Sequence, residues 1–353
     1  MLHPIIQADL QEIASAPLRW NELTGRTVLV TGAAGFLPAL MVETLLYLNQ
    51  SRQLSCRVLG QVRNLERGAR RFLEYRDRSD LRLVEGDVST GCPLSDRCDV
   101  IVHAASQASP MYYDSDPVGT MTANLLGSYH LLEIARERGC EKFLFFSSGE
   151  VYGQAAPDKV PTGEADYGYL DILNHRTCYG ESKRAAETLA VSYAHQFGIP
   201  AVIVRPFHTY GPGMTLDDGR VFADFIRDVV QRRNLVLRSD GKAVRAFCYL
   251  ADAVRGFFTV LLLGKSGQAY NVGNPAGALS IRELADLLVD SDAGRGLSVD
   301  WVGKPQPGYM PSPIAINIPK VDALQALGWQ ARYTPAEGFA RTIEYFKTMN
   351  SNG

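Results

Sequence analysis

An excess of basic residues is missing from this chain: 36 lysines and arginines stand against 38 aspartates and glutamates, a formal net charge of -2 over 353 residues. That balance argues against a nucleic-acid groove or a polybasic membrane surface, so neither partner is expected, while local basic clusters for small phosphates stay open. No apolar run approaches the roughly 20 residues needed to cross a bilayer. Paired-cysteine spacing is absent too. Cys56, Cys92, Cys98, Cys140, Cys178 and Cys248 form no Cys-x-x-Cys pattern, and no signal-peptide pattern precedes them. Reduced thiols in a cytoplasmic protein without a metal site are therefore expected. Cys178 adjoins Tyr179 but has no evident histidine partner, so it reads as packing and not as a nucleophile. Internal repeats and low-complexity segments are also lacking.

With 46% hydrophobic and 21% charged residues, the chain can bury a large α/β core. Residues 1–24 precede the first convincing strand, with Ile5, Leu10 and Ile13 at loose helical spacing before Trp20, and read as an N-terminal appendage. From residue 25 to 206 short aliphatic runs alternate with helical patterns. Strands are expected at Thr27–Val30, Arg57–Leu59, Leu81–Val84, Val100–Val102, Lys142–Phe146 and Ala201–Val204. Helices are expected at Leu37–Leu48, Val118–Arg138 and Tyr179–Gln196. This alternation predicts α/β architecture, a doubly wound parallel (Rossmann) sheet covered on both faces. Residues 207–353 read as a smaller substrate-binding lobe interleaved with the first, with helices at Val221–Gln231, Ile281–Val289 and Pro335–Phe346. Glycine and proline punctuate it around residues 303–308.

The run Thr31-Gly32-Ala33-Ala34-Gly35-Phe36-Leu37 follows the first strand and opens a helix, the context in which a glycine loop brings backbone amides to a pyrophosphate. Pro38 stands where a third glycine usually allows close packing, and a first helical turn tolerates it. The acid that usually meets the adenosine ribose is missing, because the end of the second strand reads Gly60-Gln61-Val62-Arg63-Asn64. Arg63 leaves NADP open beside NAD, since it suits a 2′-phosphate as readily as a structural contact. By position, Asp87-Val88 falls on the adenine side and Ala104-Ala105 along the cofactor backbone.

Tyr179 and Lys183 lie four apart, so on a helix of about 3.6 residues per turn phenol and ammonium share one face. A free phenol has a pKa of about 10, and moving it three units takes roughly 4 kcal/mol. A fixed ammonium nearby, with a nicotinamide cation, is expected to supply that. About thirty residues upstream, Phe146-Ser147-Ser148-Gly149-Glu150-Val151-Tyr152-Gly153 supplies a hydroxyl and a carboxylate after a strand.

Together these motifs resemble the extended short-chain dehydrogenase/reductases, the NAD-dependent epimerase/dehydratase group acting on sugar nucleotides. The pattern is most similar to the UDP-glucuronate decarboxylases (UDP-xylose synthases), through Ala108-Ser109-Pro110-Met111-Tyr112-Tyr113, Asp116-Pro117-Val118, Arg176-Thr177-Cys178-Tyr179, Lys183-Arg184-Ala185-Ala186-Glu187, Thr209-Tyr210-Gly211-Pro212, Asp218-Gly219-Arg220-Val221 and Arg245-Ala246-Phe247. The resemblance implies that Tyr179 is the base for a sugar C4 hydroxyl. Lys183 would hold the cofactor ribose, and Ser148 would share the hydroxyl's hydrogen bonds. It sets Glu150 and Arg220 beside C5 and C6, and Arg245 on the diphosphate. Ser109, Tyr113 and His208 fall at substrate positions, His208 where the family usually has asparagine. Arg220 reads equally as a salt-bridge partner of Asp217 and Asp218.

The implied reaction is C4 oxidation by tightly bound, recycled NAD and decarboxylation of a UDP-hexuronate (UDP-glucuronate to UDP-pentose), with or without re-reduction. A nucleotide-sugar 4-epimerase or 4,6-dehydratase is the alternative, and a dinucleotide-sensing binding protein the non-enzymatic one. Gly149 departs from the aspartate that dehydratases place there and the serine of decarboxylases. Gly213 replaces an arginine, and Gly308-Tyr309-Met310-Pro311-Ser312 lacks another. The resemblance also implies a homodimer through a four-helix bundle, and a setting in cell-surface polysaccharide synthesis.

Overall fold

The computed structural model describes residues 2–92, 97–217, 219–302 and 314–351. Seven parallel strands form its main sheet: β1 (Thr27–Thr31), β2 (Arg57–Val62), β3 (Leu81–Glu85), β4 (Val100–His103), β5 (Lys142–Phe146), β6 (Ala201–Pro206) and β7 (Ala269–Val272). Their spatial order is β7-β6-β5-β4-β1-β2-β3. Val28, Leu29 and Val30 are at most 1% exposed, and Phe143, Leu144 and Phe145 fully buried. Both faces of these strands are therefore covered, which explains why they read as unbroken apolar runs. The order reverses between β1 and β4, and a crevice opens there at the strands' carboxyl ends.

Three expected helices are present with extended ends: α2 (Phe36–Arg52), α3 (Pro117–Arg138) and α4 (Cys178–Phe197). Helices α3 and α4 pack side by side, and the Asn124 amide donates to Ser182 Oγ at 2.9 Å between them. Ser182 Oγ in turn donates to the Tyr179 carbonyl at 3.0 Å, which fixes the start of α4 against α3.

One expectation about organisation needs correction. The N-terminal appendage is part of the core: helix α1 (Pro4–Ala14) buries Ile6, Leu10 and Ile13. The Asp9 carboxylate, 0% exposed, accepts from the Tyr249 hydroxyl at 2.8 Å and from Arg341. Those partners lie hundreds of residues away, which is why the segment's role could not be read locally. The two halves are interleaved beyond residue 206: β7 joins the main sheet beside β6 and the helix Leu250–Leu263 packs on β5 and β6. The expected helices beyond it are found at Val221–Val230, Ile281–Asp290 and Pro335–Ser351. Small sheets made from strands such as Val244–Ala246 and Ala278–Ser280 complete that half. The glycine- and proline-punctuated stretch at 303–308 lies outside the described residues.

Candidate active site

At the crevice, Gly32 has φ +65°, and a Cβ there would come within 2.8 Å of Ala105 Cα. The β1 loop thus approaches the backbone after β4 more closely than any side chain allows. Thr31 Oγ1 accepts from the Ala105 amide at 3.1 Å and lies 3.0 Å from His103 Nδ1, which locks the two loops together. Gly35 caps α2 with extended backbone, so the amides of Phe36 and Leu37 head a helix whose first N–H groups have no intrahelical partner. Pro38 is buried in that first turn, its ring 3.3 Å from where a Gly35 Cβ would stand. The substitution for glycine is absorbed by packing. Ala34 is half-buried in the same loop.

Arg63 is exposed at the end of β2, and its positive charge helps hold the carboxyls of both Asp87 and Asp116 below the usual range. For Asp87, burial pushes upward, but hydrogen bonds from Ser89 together with Arg63 outweigh it. For Asp116, a hydrogen bond from Gln107 and another from the Gly119 amide act first. Two carboxylates beside Arg63 oppose a ribose 2′-phosphate, which favours NAD over NADP. Val88 is buried, and its carbonyl lies 3.0 Å from His130 Nδ1.

Several buried polar atoms along this edge have no partner among the described residues: Gln61 Nε2, His103 Nε2, Ser106 Oγ, Gln107 Oε1, Asn124 Oδ1, Ser147 Oγ and His208 Nε2. Buried polar groups are ordinarily satisfied. Such a row, together with a backbone cradle that a Cβ would fill, fits a polar dinucleotide and its substrate.

Tyr179 is 7% exposed and Lys183 2%. The Lys183 ammonium donates to the Phe146 carbonyl at 2.6 Å and lies over the rings of Phe145 at 4.9 Å and Tyr179 at 5.7 Å. Burial drives both groups toward neutrality: the phenol is pushed up to about 12 and the lysine down to about 7, Glu187 opposing the latter. The phenol is expected to be tuned by the lysine together with a nicotinamide cation, and within the protein alone burial dominates. What pulls the phenol down within the protein is a hydrogen bond with Ser148 and the positive charge of Arg220, while Glu150 pushes it up. Ser148 begins a short 3-10 turn, its Oγ accepting from the Glu150 amide at 3.2 Å, so hydroxyl and carboxylate are held on one turn.

Arg220 sits just before the helix Val221–Val230 and donates to the Ala108 carbonyl at 3.1 Å. It joins Tyr179, Glu150, Tyr113 and His208 in one electrostatic cluster. The Asp217 carboxylate is claimed instead by Arg227 at 2.9 Å, and Asp218 lies outside the described residues. Burial, with Arg245 and Arg220 nearby, holds His208 well below its ordinary pKa and hence neutral. Arg245, expected at the diphosphate, donates from its guanidinium to the carbonyls of Val244, Ile314 and Ala315 at 2.8–3.0 Å.

Ser109 is half-buried before the short helix Met111–Ser115. Tyr113, expected to flank the sugar, is 3% exposed and stacked on Tyr179. A Cβ at Gly149 would meet the Phe207 ring at 3.2–3.3 Å, so the place where a dehydratase carries its acid is crowded. Gly213 has φ +82° and open space around it, and the stretch 308–312 lies outside the described residues. Sequence reasoning missed the stacking of Tyr113 and the covering of Gly149, both contacts between distant segments.

The model of the NAD dependent epimerase/dehydratase family matches residues 28–273. UDP-glucuronic acid decarboxylase 5 of Arabidopsis thaliana is 32% identical over 339 residues, spanning 94% of this chain and 93% of that protein. UDP-glucuronic acid decarboxylase 1 of Xenopus tropicalis is 31% identical over 328 residues, spanning 93% and 73%. Among solved structures, UDP-glucuronic acid 4-epimerase from Bacillus cereus, in complex with UDP-glucuronic acid and NAD, aligns with a TM-score of 0.76 at 22% identity, covering 92% of this chain and 99% of its own. A dTDP-glucose 4,6-dehydratase from Bacillus anthracis aligns with a TM-score of 0.76 at 20% identity, covering 92% and 98%. At those identities the shared property is the fold.

Proposed function

This chain belongs to the NAD dependent epimerase/dehydratase family, and from that premise we propose that it is an enzyme oxidising C4 of a nucleotide sugar. With a UDP-hexuronate bound, the reaction continues to loss of carbon dioxide and a UDP-pentose. The observation that carries decarboxylation over dehydration is Gly149, which offers no acid and leaves only a tight space beside the Phe207 ring. The decarboxylase relatives, aligned over more than nine-tenths of this chain, support the same choice over epimerisation.

Oxidised NAD would supply a hydride acceptor and a positive charge, lodged between the Gly32–Leu37 loop, Asp87, Val88, Ala104, Ala105 and Lys183. Tyr179 takes the proton of the C4 hydroxyl, and Ser148 holds that oxygen in line. Its phenol starts with a pKa near 12, so the cofactor's charge must add to that of Arg220 before the phenolate forms. The resulting C4 ketone lies β to the C6 carboxylate. When the C5–C6 bond breaks, carbon dioxide leaves and the electron pair passes into the C4 carbonyl as an enolate, for which Arg220 is the nearby cation. A proton then enters at C5, with Glu150 the residue proposed to deliver it. Returning hydride to C4 would complete a cycle without net redox change. His208, neutral and with an Nε2 that has no partner among the described residues, is a hydrogen-bonding contact for the substrate, together with Ser109 and Arg245.

The proposal extends to a cytoplasmic homodimer, in the synthesis of cell-surface polysaccharide precursors. Support for the dimer comes from α3 and α4, which expose Val118, Met121, Leu126 and Tyr129, and Val191 and Phe197, respectively. No helix among the described residues is long and apolar enough to cross a membrane. Light scattering at micromolar concentration checks the dimer. The function is tested by incubating the protein with UDP-glucuronate and NAD and weighing the nucleotide sugar. A product lighter by one carbon dioxide is expected; one lighter by a water points to dehydration, an isomer of equal mass to epimerisation, and unaltered substrate rejects the proposal.

A further inference from the structure

Beside Tyr179 the structure holds an aromatic ring and a cation that the proposed chemistry does not consume. The Tyr113 ring stacks on that of Tyr179 with centroids 5.1 Å apart and planes 18° from parallel. The Arg176 guanidinium lies over the Tyr113 ring at 4.8 Å. Tyr113 is held at its far end as well, its hydroxyl donating to the Ala108 carbonyl at 3.0 Å. That same carbonyl accepts from Arg220 at 3.1 Å. Arg176 has a buried Nε without a hydrogen-bond partner among the described residues, so the contact with the ring is its evident side-chain attachment. Its backbone is fixed independently, the amide donating to Asn174 Oδ1 at 3.0 Å.

The two residues come from separate segments, Tyr113 from the helix Met111–Ser115 and Arg176 from the turn His175–Thr177 that leads into α4. A second contact joins these segments, His175 Nε2 lying 3.2 Å from Asp114 Oδ1, but that pair is exposed and contributes little. The buried stack is the stronger tie. A cation over an aromatic face and a parallel aromatic pair are each attractive beyond area burial. In series they press one ring against another.

We infer that Arg176 is a positioning residue that clamps Tyr113 against the Tyr179 ring, holding the phenol oxygen on Ser148 and opposite C4 of the substrate. The inference rests on the reading of Tyr179 as the base. A base aimed by a neighbour loses rate when the neighbour is removed, because small displacements of reacting atoms are costly. Its binding of substrate is largely unaffected.

The test reads the ring and the rate separately. In protein labelled with fluorotyrosine, the Tyr179 resonance is the one that disappears in Tyr179→Phe. It is expected to be a single line in the wild type and to shift and broaden in both Arg176→Met and Tyr113→Ala. The double variant should be no worse than either. With UDP-glucuronate, Arg176→Met should lower kcat roughly three- to tenfold with KM unchanged, the scale of one lost cation–π contact. Arg176→Lys, which keeps a cation over the ring, should restore most of it. A wild type inert toward UDP-glucuronate rejects the proposed substrate, while the resonance still decides the clamp. An unmoved Tyr179 line in Arg176→Met, or additive losses in the double variant, overturns the inference.

Discussion

Two buried polar clusters sit side by side in this chain, and they are built on opposite principles. One gathers around Arg205, which is 1% exposed. Its guanidinium meets Glu187 at 2.6 and 2.8 Å, the Tyr152 hydroxyl at 2.7 Å, the Tyr167 hydroxyl at 2.9 Å and the Glu164 carbonyl at 2.8 Å. The other is the catalytic edge, where Lys183 and His103 are driven toward neutrality by burial. There Ser147, His103 and His208 keep polar atoms without partners among the described residues. In the first cluster a full set of hydrogen bonds keeps the buried arginine charged, its pKa raised despite burial. In the second, incomplete satisfaction leaves groups whose protonation an arriving ligand can change. Glu187 belongs to both, as the partner of Arg205 and the carboxylate whose charge opposes the fall of the Lys183 pKa.

Breaking the two clusters should therefore have opposite signatures. Tyr179→Phe is expected to remove roughly a hundred- to ten-thousandfold of kcat while leaving the thermal melting temperature nearly unchanged, measurable by steady-state assay and calorimetry. Glu187→Gln strands the buried Arg205 and should cost about 3–5 kcal/mol in urea unfolding. Lys183→Met should abolish activity yet stabilise the ligand-free protein, on the order of a few kcal/mol at neutral and acid pH. The sign follows from the titration: the ammonium sits near 7 in the folded state against its ordinary 10.5. Between those values the unfolded chain binds more protons, so wild-type stability rises with pH. The advantage of the variant is thus full below pH 7 and fades toward 10.5, which denaturation at several pH values reads directly. If the advantage were independent of pH, the comparison would lose its electrostatic basis.

Gly149→Asp gives the smallest expected effect. It adds the carboxyl of a dehydratase, but against the Phe207 ring, so about 1–3 kcal/mol of crowding is expected. Mass spectrometry should show no dehydrated product.

The catalytic edge was legible in the sequence where its signals are local. Tyr179 and Lys183 share one helix face, Ser148 and Glu150 one turn, and the Gly32–Phe36 loop stands between a strand and a helix. What escaped depends on segments far apart in the chain. The helix Leu250–Leu263 was not anticipated because thirteen of its residues are buried, which leaves no polar face to set a period. The N-terminal helix read as an appendage because its anchors, Tyr249 and Arg341, come from the other end of the chain. Lysine seemed the cation that tunes the phenol because spacing put it on the same face. Folding brings Ser148 and Arg220 to bear on the phenol, and burial outweighs them.

The central claim is that Tyr179 initiates oxidation at C4 before any carbon bond breaks. It is tested most directly with UDP-glucuronate carrying deuterium at C4, with reduced cofactor and released carbon dioxide measured in one rapid-quench experiment. The account predicts that deuterium reaches the nicotinamide no later than carbon dioxide appears, and that both events vanish in Tyr179→Phe. Carbon dioxide released without deuterium transfer, or at an undiminished rate in Tyr179→Phe, would contradict it.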